Sequence, residues 1–180
     1  MTNSIIPIFA GGGTRLPAHL GVLKALDELN MPFNSLVGVS GGSIVASFHA
    51  AGLSLEKSKE IAFKTDYNQF RGFSLLRLVR HGGLSSGDVF EKWVDRQLNG
   101  KKFSDLDKNL HIIATDVTNG KPVIFNKEIT PDMKVSKAVR YSMSIPLVFS
   151  FKTFGKRIMV DGSILSEDAL HRDWDKQKTP

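Results

Sequence analysis

Cysteine is missing from all 180 residues. Its absence excludes disulfides, a thiol nucleophile and thiolate metal sites, and it is compatible with a reducing compartment. Long apolar runs are missing too. Nothing approaches the roughly 18 continuous apolar residues of a membrane span. Residues 1–4 carry no basic side chain and the apolar run 5–10 is short, so no secretory signal is read. The expectation is a soluble, cytoplasmic chain, with peripheral membrane association left open. Basic residues exceed acidic ones, 24 to 18, for a net charge of +6 and a pI near 9.6. Yet no five basic residues stand in a row and no nucleic-acid motif occurs, so no nucleic-acid partner is expected. The excess suits an anionic surface such as acidic phospholipid headgroups, or serves solubility alone. With 41% apolar and 23% charged residues, the chain has the composition of a globular protein. Its length fits one domain, residues 1–180.

Residues 36–52 organise the reading. Leu36, Val37 and Val39 form a short buried strand, a turn follows at Ser40, and an apolar helix runs on to Gly52. Gly38-Val39-Ser40-Gly41-Gly42 fits Gly-x-Ser-x-Gly, a nucleophile elbow in which glycines flank a serine on a sharp strand-to-helix turn. The hydroxyl then sits at a helix N-terminus, where backbone N–H groups and the dipole stabilise developing negative charge. Glycines and serines also populate ordinary turns, so the pentapeptide alone does not decide.

An earlier strand, residues 5–10, is interrupted by Pro7 and reads as an edge or irregular start. It runs into Gly11-Gly12-Gly13-Thr14-Arg15, and a helix over 18–29 follows with Leu20, Leu23, Leu26 and Leu29 expected on its buried side. Strand, glycine loop, helix, strand, glycine turn, helix opens a parallel α/β sheet, with the loop at the end where such sheets bind ligands. A dinucleotide fingerprint would need glycine at Leu16, and a P-loop would need Gly-Lys-Ser/Thr. An oxyanion hole remains, with Arg15 adding charge, against the plainer reading of a tight turn.

Ser54 is placed as the N-cap of a helix through 65, with Ile61 and Phe63 for burial. Residues 67–83 mix Phe70, Phe73, Leu75 and Leu76 with Arg71, Arg77, Arg80 and His81, a pattern of an interfacial segment or of a helix packed on its own domain. A helix over 89–98, a strand over 110–115, an Asn119-Gly120 turn into 123–125, a helix over 135–143, and paired strands 151–154 and 157–160 complete the chain. Residues 171–180 read as a polar tail.

Ser40 needs a base. His49 lies inside the elbow helix and points away, and His111 reads as a core histidine. His171 stands in the order Ser…Asp…His of an α/β-hydrolase triad, though in the polar tail. Asp161 ends a strand; on a parallel neighbour of the elbow strand it would reach the same end as Ser40. Gly162 after it would permit an unusual backbone that aims the carboxylate inward.

Taken together, Gly11-Gly12-Gly13-Thr14-Arg15, Gly38-Val39-Ser40-Gly41-Gly42 and Asp161-Gly162-Ser163 resemble the patatin-like phospholipase family. That family shows Gly-Gly-Gly-x-Arg/Lys, an elbow about 25 residues later and a distant Asp-Gly-Gly/Ala. His19-Leu-Gly-Val-Leu-Lys-Ala-Leu is similar to its first helix, and Ser144-Ile145-Pro146-Leu-Val-Phe to its segment before the aspartate hairpin. The resemblance implies a three-layer α/β/α patatin-like fold with a mainly parallel central sheet and the elbow after an early strand. It also implies a Ser40–Asp161 dyad, an oxyanion hole from Gly11, Gly12, Gly13 and the Gly41 N–H, support from Arg15, and no metal or cofactor. Ser163 replaces the family's glycine or alanine. The chain stops 19 residues after Asp161 without the family's further strands, so a fragment or reduced form is expected.

The implied activity is a phospholipase A-type lipid acyl hydrolase that cleaves glycerophospholipid esters through an acyl-serine. An esterase or thioesterase on soluble substrates, or a non-catalytic lipid- or anion-binding module, are the alternatives.

Overall fold

In the computed structural model, which describes residues 5–12, 16–70 and 83–165, the sheet is built around its longest strand, β4 (Asn109–Asp116). Leu110, Ile112 and Ala114 face one side of the sheet and Ile113 the other, the period of two that a strand imposes. The edge strand β1 (Ile8–Ala10) pairs in parallel with β2 (Ser35–Val39), and β2 pairs in parallel with β4. β5 (Lys121–Phe125) returns antiparallel through the turn at Asn119 and Gly120, where Gly120 has φ 61°. The hairpin β7 (Lys152–Phe154) and β8 (Arg157–Val160) completes the sheet, with β8 antiparallel to β4. A separate parallel pair joins β3 (Gly83–Ser85) to β6 (Leu147–Phe149).

The sheet is therefore mixed rather than mainly parallel. β1, β2 and β4 run together, and the three later strands run against their neighbours. The register shows why. β5 occupies one edge of β4 from Ile112 to Asp116, which leaves β2 and β8 to share the other edge. β2 fills it up to Val39 opposite Ile113, and β8 fills it from Val160 opposite Thr115. The two strands meet end to end with only Ala114 between them.

Five helices are described: α1 (Leu16–Glu28), α2 (Gly41–Ala50), α3 (Leu55–Lys64), α4 (Asp88–Gln97) and α5 (Val135–Ser142). Their buried apolar side chains all join the cluster of Leu36, Ile112 and Ala114. Val37, Val39 and Ile113, with Ile6 and Ile124 packed against them, form a smaller cluster on the opposite face. Among the described residues no helix contributes to that second cluster.

Two burial expectations are corrected. Leu20 and Leu23 are buried, but Leu29 lies past the end of α1 and is 67% exposed. Successive steps of three residues each fall about 60° short of a full turn, so the third step reaches the opposite side of the helix. Phe63 is exposed because it sits two residues, about 200°, round α3 from buried Ile61. Ser54 does cap α3, its side chain accepting from the Lys57 N–H at 3.1 Å. Of residues 67–83, Tyr67–Phe70 form a 3-10 turn with Phe70 buried, and 71–82 lie outside the described residues.

Candidate active site

Ser40 occupies the junction of β2 and α2 with φ 52° and ψ −129°. A non-glycine residue there carries strain of about 1–3 kcal/mol, which persists only where its surroundings over-determine it. They do so here. The Ser40 N–H donates to Ser142 Oγ at 2.8 Å, and the Ser40 carbonyl accepts from Ser43 Oγ at 2.6 Å and the Ser43 N–H at 2.9 Å. The flanking glycines are required by space. A Cβ on Gly38 would sit 2.6 Å from Ser43 Cα, and one on Gly42 would sit 2.0 Å from the Phe9 carbonyl oxygen.

Asp161 follows β8 directly, so the end-to-end meeting of β2 and β8 brings it to Ser40. The Ser40 hydroxyl donates to Asp161 Oδ2 at 2.7 Å, and both residues are buried. The strand that delivers the carboxylate is thus an antiparallel one sharing β4's edge with the elbow strand, not a parallel neighbour as expected. Asp161 Oδ1 accepts from the Ser163 N–H at 2.9 Å, and the Asp161 N–H donates to the Ser144 carbonyl at 3.0 Å. Gly162 is needed for closeness rather than for a special backbone angle: its Cβ would lie 2.1 Å from the Ile113 carbonyl oxygen. Ser163 supplies a main-chain N–H and exposes its side chain, which accounts for latitude in residue type there.

The glycine loop is tied to the elbow. Gly11 and Gly12 take φ 66° and 91°. The Gly11 N–H donates to the Val39 carbonyl at 3.1 Å, and the Gly11 carbonyl accepts from the Gly42 N–H at 3.1 Å with His19 Nε2 at 3.2 Å. Gly11 therefore braces the loop and its N–H is already occupied, unlike the expectation that it faces an oxyanion. Among the described residues the N–H groups of Gly12 and Gly41 find no acceptor; Gly41 heads α2, where the helix offers none. Gly13 and Arg15 lie outside the described residues.

Ser40 Oγ meets Asp161 and, at 3.8 Å, Met143 Sδ, and among the described residues it meets no histidine. His49 packs at a tilt against Phe33, ring centroids 5.2 Å apart and planes at 34°, in a cavity of about 400 Å³ at the other end of β2 that Lys108 also lines. Burial, helped by the Lys108 charge, holds its imidazole below the usual range. His111 faces Asn126 Nδ2 through Nδ1 at 3.2 Å. Asn126 Oδ1 accepts from the Glu128 and Ile129 N–H groups, so its amide group must donate to the ring and His111 Nδ1 is unprotonated. His81 and His171 lie outside the described residues.

Two polar residues of the site, Ser142 and Arg140, carry no assigned role in the sequence reading, and a third, Ser144, figures there only as the start of a family-like segment. Ser142 is fully buried and donates to the Ile113 carbonyl at 2.6 Å, which turns its lone pair toward the Ser40 N–H. Arg140 is also fully buried. Its Nη1 donates to Ser144 Oγ at 2.7 Å and its Nη2 to the Ser86 and Ser150 carbonyls at 2.7 and 2.8 Å, with the Phe149 ring 5.1 Å away. Desolvation pushes its guanidinium down to about 10 against the pull of Glu91 and Asp88, so it stays cationic at neutral pH. Ser144 links Arg140 to the Asp161 main chain. The available signal is polar residues at 140, 142 and 144 alternating with the apolar Val139, Tyr141 and Met143 at the end of the helix.

The model of the family described as patatin-like phospholipase matches residues 8–171. The uncharacterized protein YqhO of Bacillus subtilis is 33% identical over 183 residues, covering 88% of this chain and 63% of its own length. The probable lipid hydrolase 463L of invertebrate iridescent virus 6 is 25% identical, covering 87% of this chain and 59% of its own. The chain thus spans less than two thirds of these relatives. Among solved structures, VipD from Legionella pneumophila superposes with a TM-score of 0.71 at 15% identity, over 92% of this chain and 46% of that one, a likeness of fold.

Proposed function

Because this chain belongs to the patatin-like phospholipase family, we propose that it is a lipid acyl hydrolase working through Ser40 and Asp161. The 2.7 Å hydrogen bond from Ser40 Oγ to Asp161 Oδ2 carries the reading. Ser40 Oγ attacks the ester carbonyl while Asp161 takes its proton. The tetrahedral oxyanion accepts from the N–H groups of Gly12 and Gly41 at the positive end of α2. Gly11 braces this hole, and Gly13 and Arg15 belong to it by sequence. Collapse breaks the bond to the leaving alkoxide, which recovers the proton from Asp161, and an acyl-serine remains. Water then adds to the acyl carbon, giving its proton to Asp161, and the fatty acid leaves as Ser40 regains that proton. The substrate class is a glycerophospholipid fatty-acyl ester, cleaved in the manner of a phospholipase A. Viral protein 463L, named a probable lipid hydrolase, lends support at the level of reaction class.

The test compares the chain with Ser40→Ala and Asp161→Asn on phospholipid vesicles, on a medium-chain nitrophenyl ester and with a fluorophosphonate probe. Ser40→Ala should abolish turnover and labelling. Asp161→Asn should lower both by roughly 10²–10⁴-fold, the range of general-base catalysis. Turnover that survives Asp161→Asn in a folded protein would overturn the dyad. Absent labelling of the unaltered chain would favour a binding module.

A further inference from the structure

Around the mouth of this site the surface is both apolar and cationic. The buried Asp161 N–H to Ser144 carbonyl bond joins the two segments that run from the site to its rim. Leu147 lies three residues beyond Ser144, Ile164 three beyond Asp161 and Ile158 three before it. Each is therefore within about 11 Å of that bond along the chain. All three are exposed, as are Val148 and Phe151. Leu147 is 67% exposed with φ 69°, a conformation leucine rarely adopts, and its side chain is turned out to the surface. Isolated exposed apolar residues need no explanation, but five of them gathered on the two segments that meet at Ser144 and Asp161 do.

Charge identifies what covers them. Residues 133–160 contain six basic residues and no acidic one. Arg140 is buried, and Lys134 and Lys152 pair with Asp95 and Asp88. Lys137, Lys156 and Arg157 remain: Lys137 is exposed on α5, and the other two stand at the tip of the β7–β8 hairpin, Arg157 half-exposed and ion-paired with Asp116 at 3.7 Å. Apolar side chains beside basic ones fit the boundary between acyl chains and anionic headgroups. Resting on the reading of the chain as a lipid hydrolase, we propose that this rim docks on an anionic phospholipid bilayer. Leu147, Val148, Phe151, Ile158 and Ile164 enter the acyl boundary, and Lys156 and Arg157 lie among the headgroups. β8 then joins the headgroup layer directly to Asp161, and a lipid passes from the bilayer to Ser40 without crossing water. The docking contact falls on this hairpin and β6; residues 71–82, whose pattern reads as an interfacial segment or as a helix packed on its own domain, lie outside the described residues.

The experiment is cosedimentation of the full chain, carrying Ser40→Ala to prevent hydrolysis, with phosphatidylcholine vesicles with and without phosphatidylglycerol. The same surface variants with Ser40 intact are assayed on a short soluble ester. Binding should require phosphatidylglycerol and weaken with salt. Leu147→Asn with Val148→Ser should weaken binding about tenfold or more, and asparagine tolerates the left-handed backbone at 147. Lys156→Glu at the exposed turn, with Arg157→Gln so that no second carboxylate faces the buried Asp116, should weaken the preference for anionic vesicles. Both variants should keep short-ester turnover. Short-ester turnover without vesicle binding, or variants that bind like the parent, would overturn the docking surface and leave the hydrolase standing. Self-association of the chain that the apolar variant abolishes would overturn it in favour of a second copy. Vesicle binding by this rim without any ester turnover would uphold the surface and refute the hydrolase.

Discussion

Replacing Ser142 with alanine tests how the strained elbow is held. Its hydroxyl is the acceptor for the buried Ser40 N–H and the donor to the Ile113 carbonyl. Alanine removes both bonds at a position that is fully buried. An unsatisfied buried donor costs about 1–3 kcal/mol. Taking the middle, about 2 kcal/mol, a chain of this size should lose about 4–8 °C in Tm. The effect on chemistry should be separate and larger in kind. Ser40 keeps φ 52° because its N–H and carbonyl are both fixed, and with one anchor gone the hydroxyl drifts from the reacting carbonyl. A displacement near 1 Å costs on the order of 10²-fold in rate. The second-order rate of fluorophosphonate labelling and kcat on a nitrophenyl ester should fall about 10–100-fold with KM little changed. Ser142→Thr keeps the oxygen but adds a methyl to a filled site, so it should lose Tm and retain most of kcat. Labelling of Ser142→Ala at the parental rate would refute the reasoning. So would a folded Ser142→Thr as slow as alanine, because then shape rather than the hydroxyl would govern the elbow.

Gly162→Ala should displace Asp161, because its Cβ would stand 2.1 Å from a main-chain oxygen that cannot rotate away; lost labelling by the probe, with circular dichroism unchanged, is the expected result. Arg140→Lys keeps the charge but cannot reach three oxygens on two sides, and should lower stability by roughly 3 kcal/mol or more in urea unfolding. Stability should fall on mild acidification. His49 and His111 are both held below 6.5 by burial, so below that pH the unfolded chain binds more protons than the folded one. Stability is fully present above about 6.5 and is lost as pH falls through the lower folded values, whereas the Asp88 carboxyl, lowered by Lys152, acts only below 3.8. The urea midpoint should drop between pH 7.5 and 5.5, and His111→Gln should flatten the drop.

The legible parts of this molecule are those with local causes. Gly38-Val39-Ser40-Gly41-Gly42 announces a sharp turn because its crowding partners, Ser43 and the backbone of Phe9, leave no room for side chains. Asn119-Gly120 announces a hairpin because the turn needs a positive φ, and Gly120 has one. Asp161 was singled out beside Ser40, and the two do meet. The route by which they meet was not legible. Nothing in Arg157–Val160 says that the strand runs antiparallel to β4, since direction is set by a register formed with residues some forty positions away. The occupied N–H of Gly11 was hidden for the same reason, its acceptor being the carbonyl of Val39. Ser142 and Arg140 were passed over because they bond chiefly to main-chain oxygens, which every residue has and no sequence distinguishes. At Leu29 and Phe63 apolar character misleads, because the angle around the helix turns both side chains to solvent.

One carbonyl recurs at each of these points. The oxygen of Ile113 receives the hydroxyl that anchors Ser40, and Gly162 packs directly on it to bring in Asp161. The two reacting side chains come from opposite ends of the chain, yet both take their position from the same atom in the middle of β4. No point substitution deletes a carbonyl, so this reference survives any exchange of the Ile113 side chain that preserves the strand. The fragility of the site is displaced onto residues notable for having almost no side chain, the glycines at 38, 42 and 162. Sequence drift can rewrite most of the surroundings and leave the alignment of nucleophile and base intact, while one added methyl group at any of those three would break it.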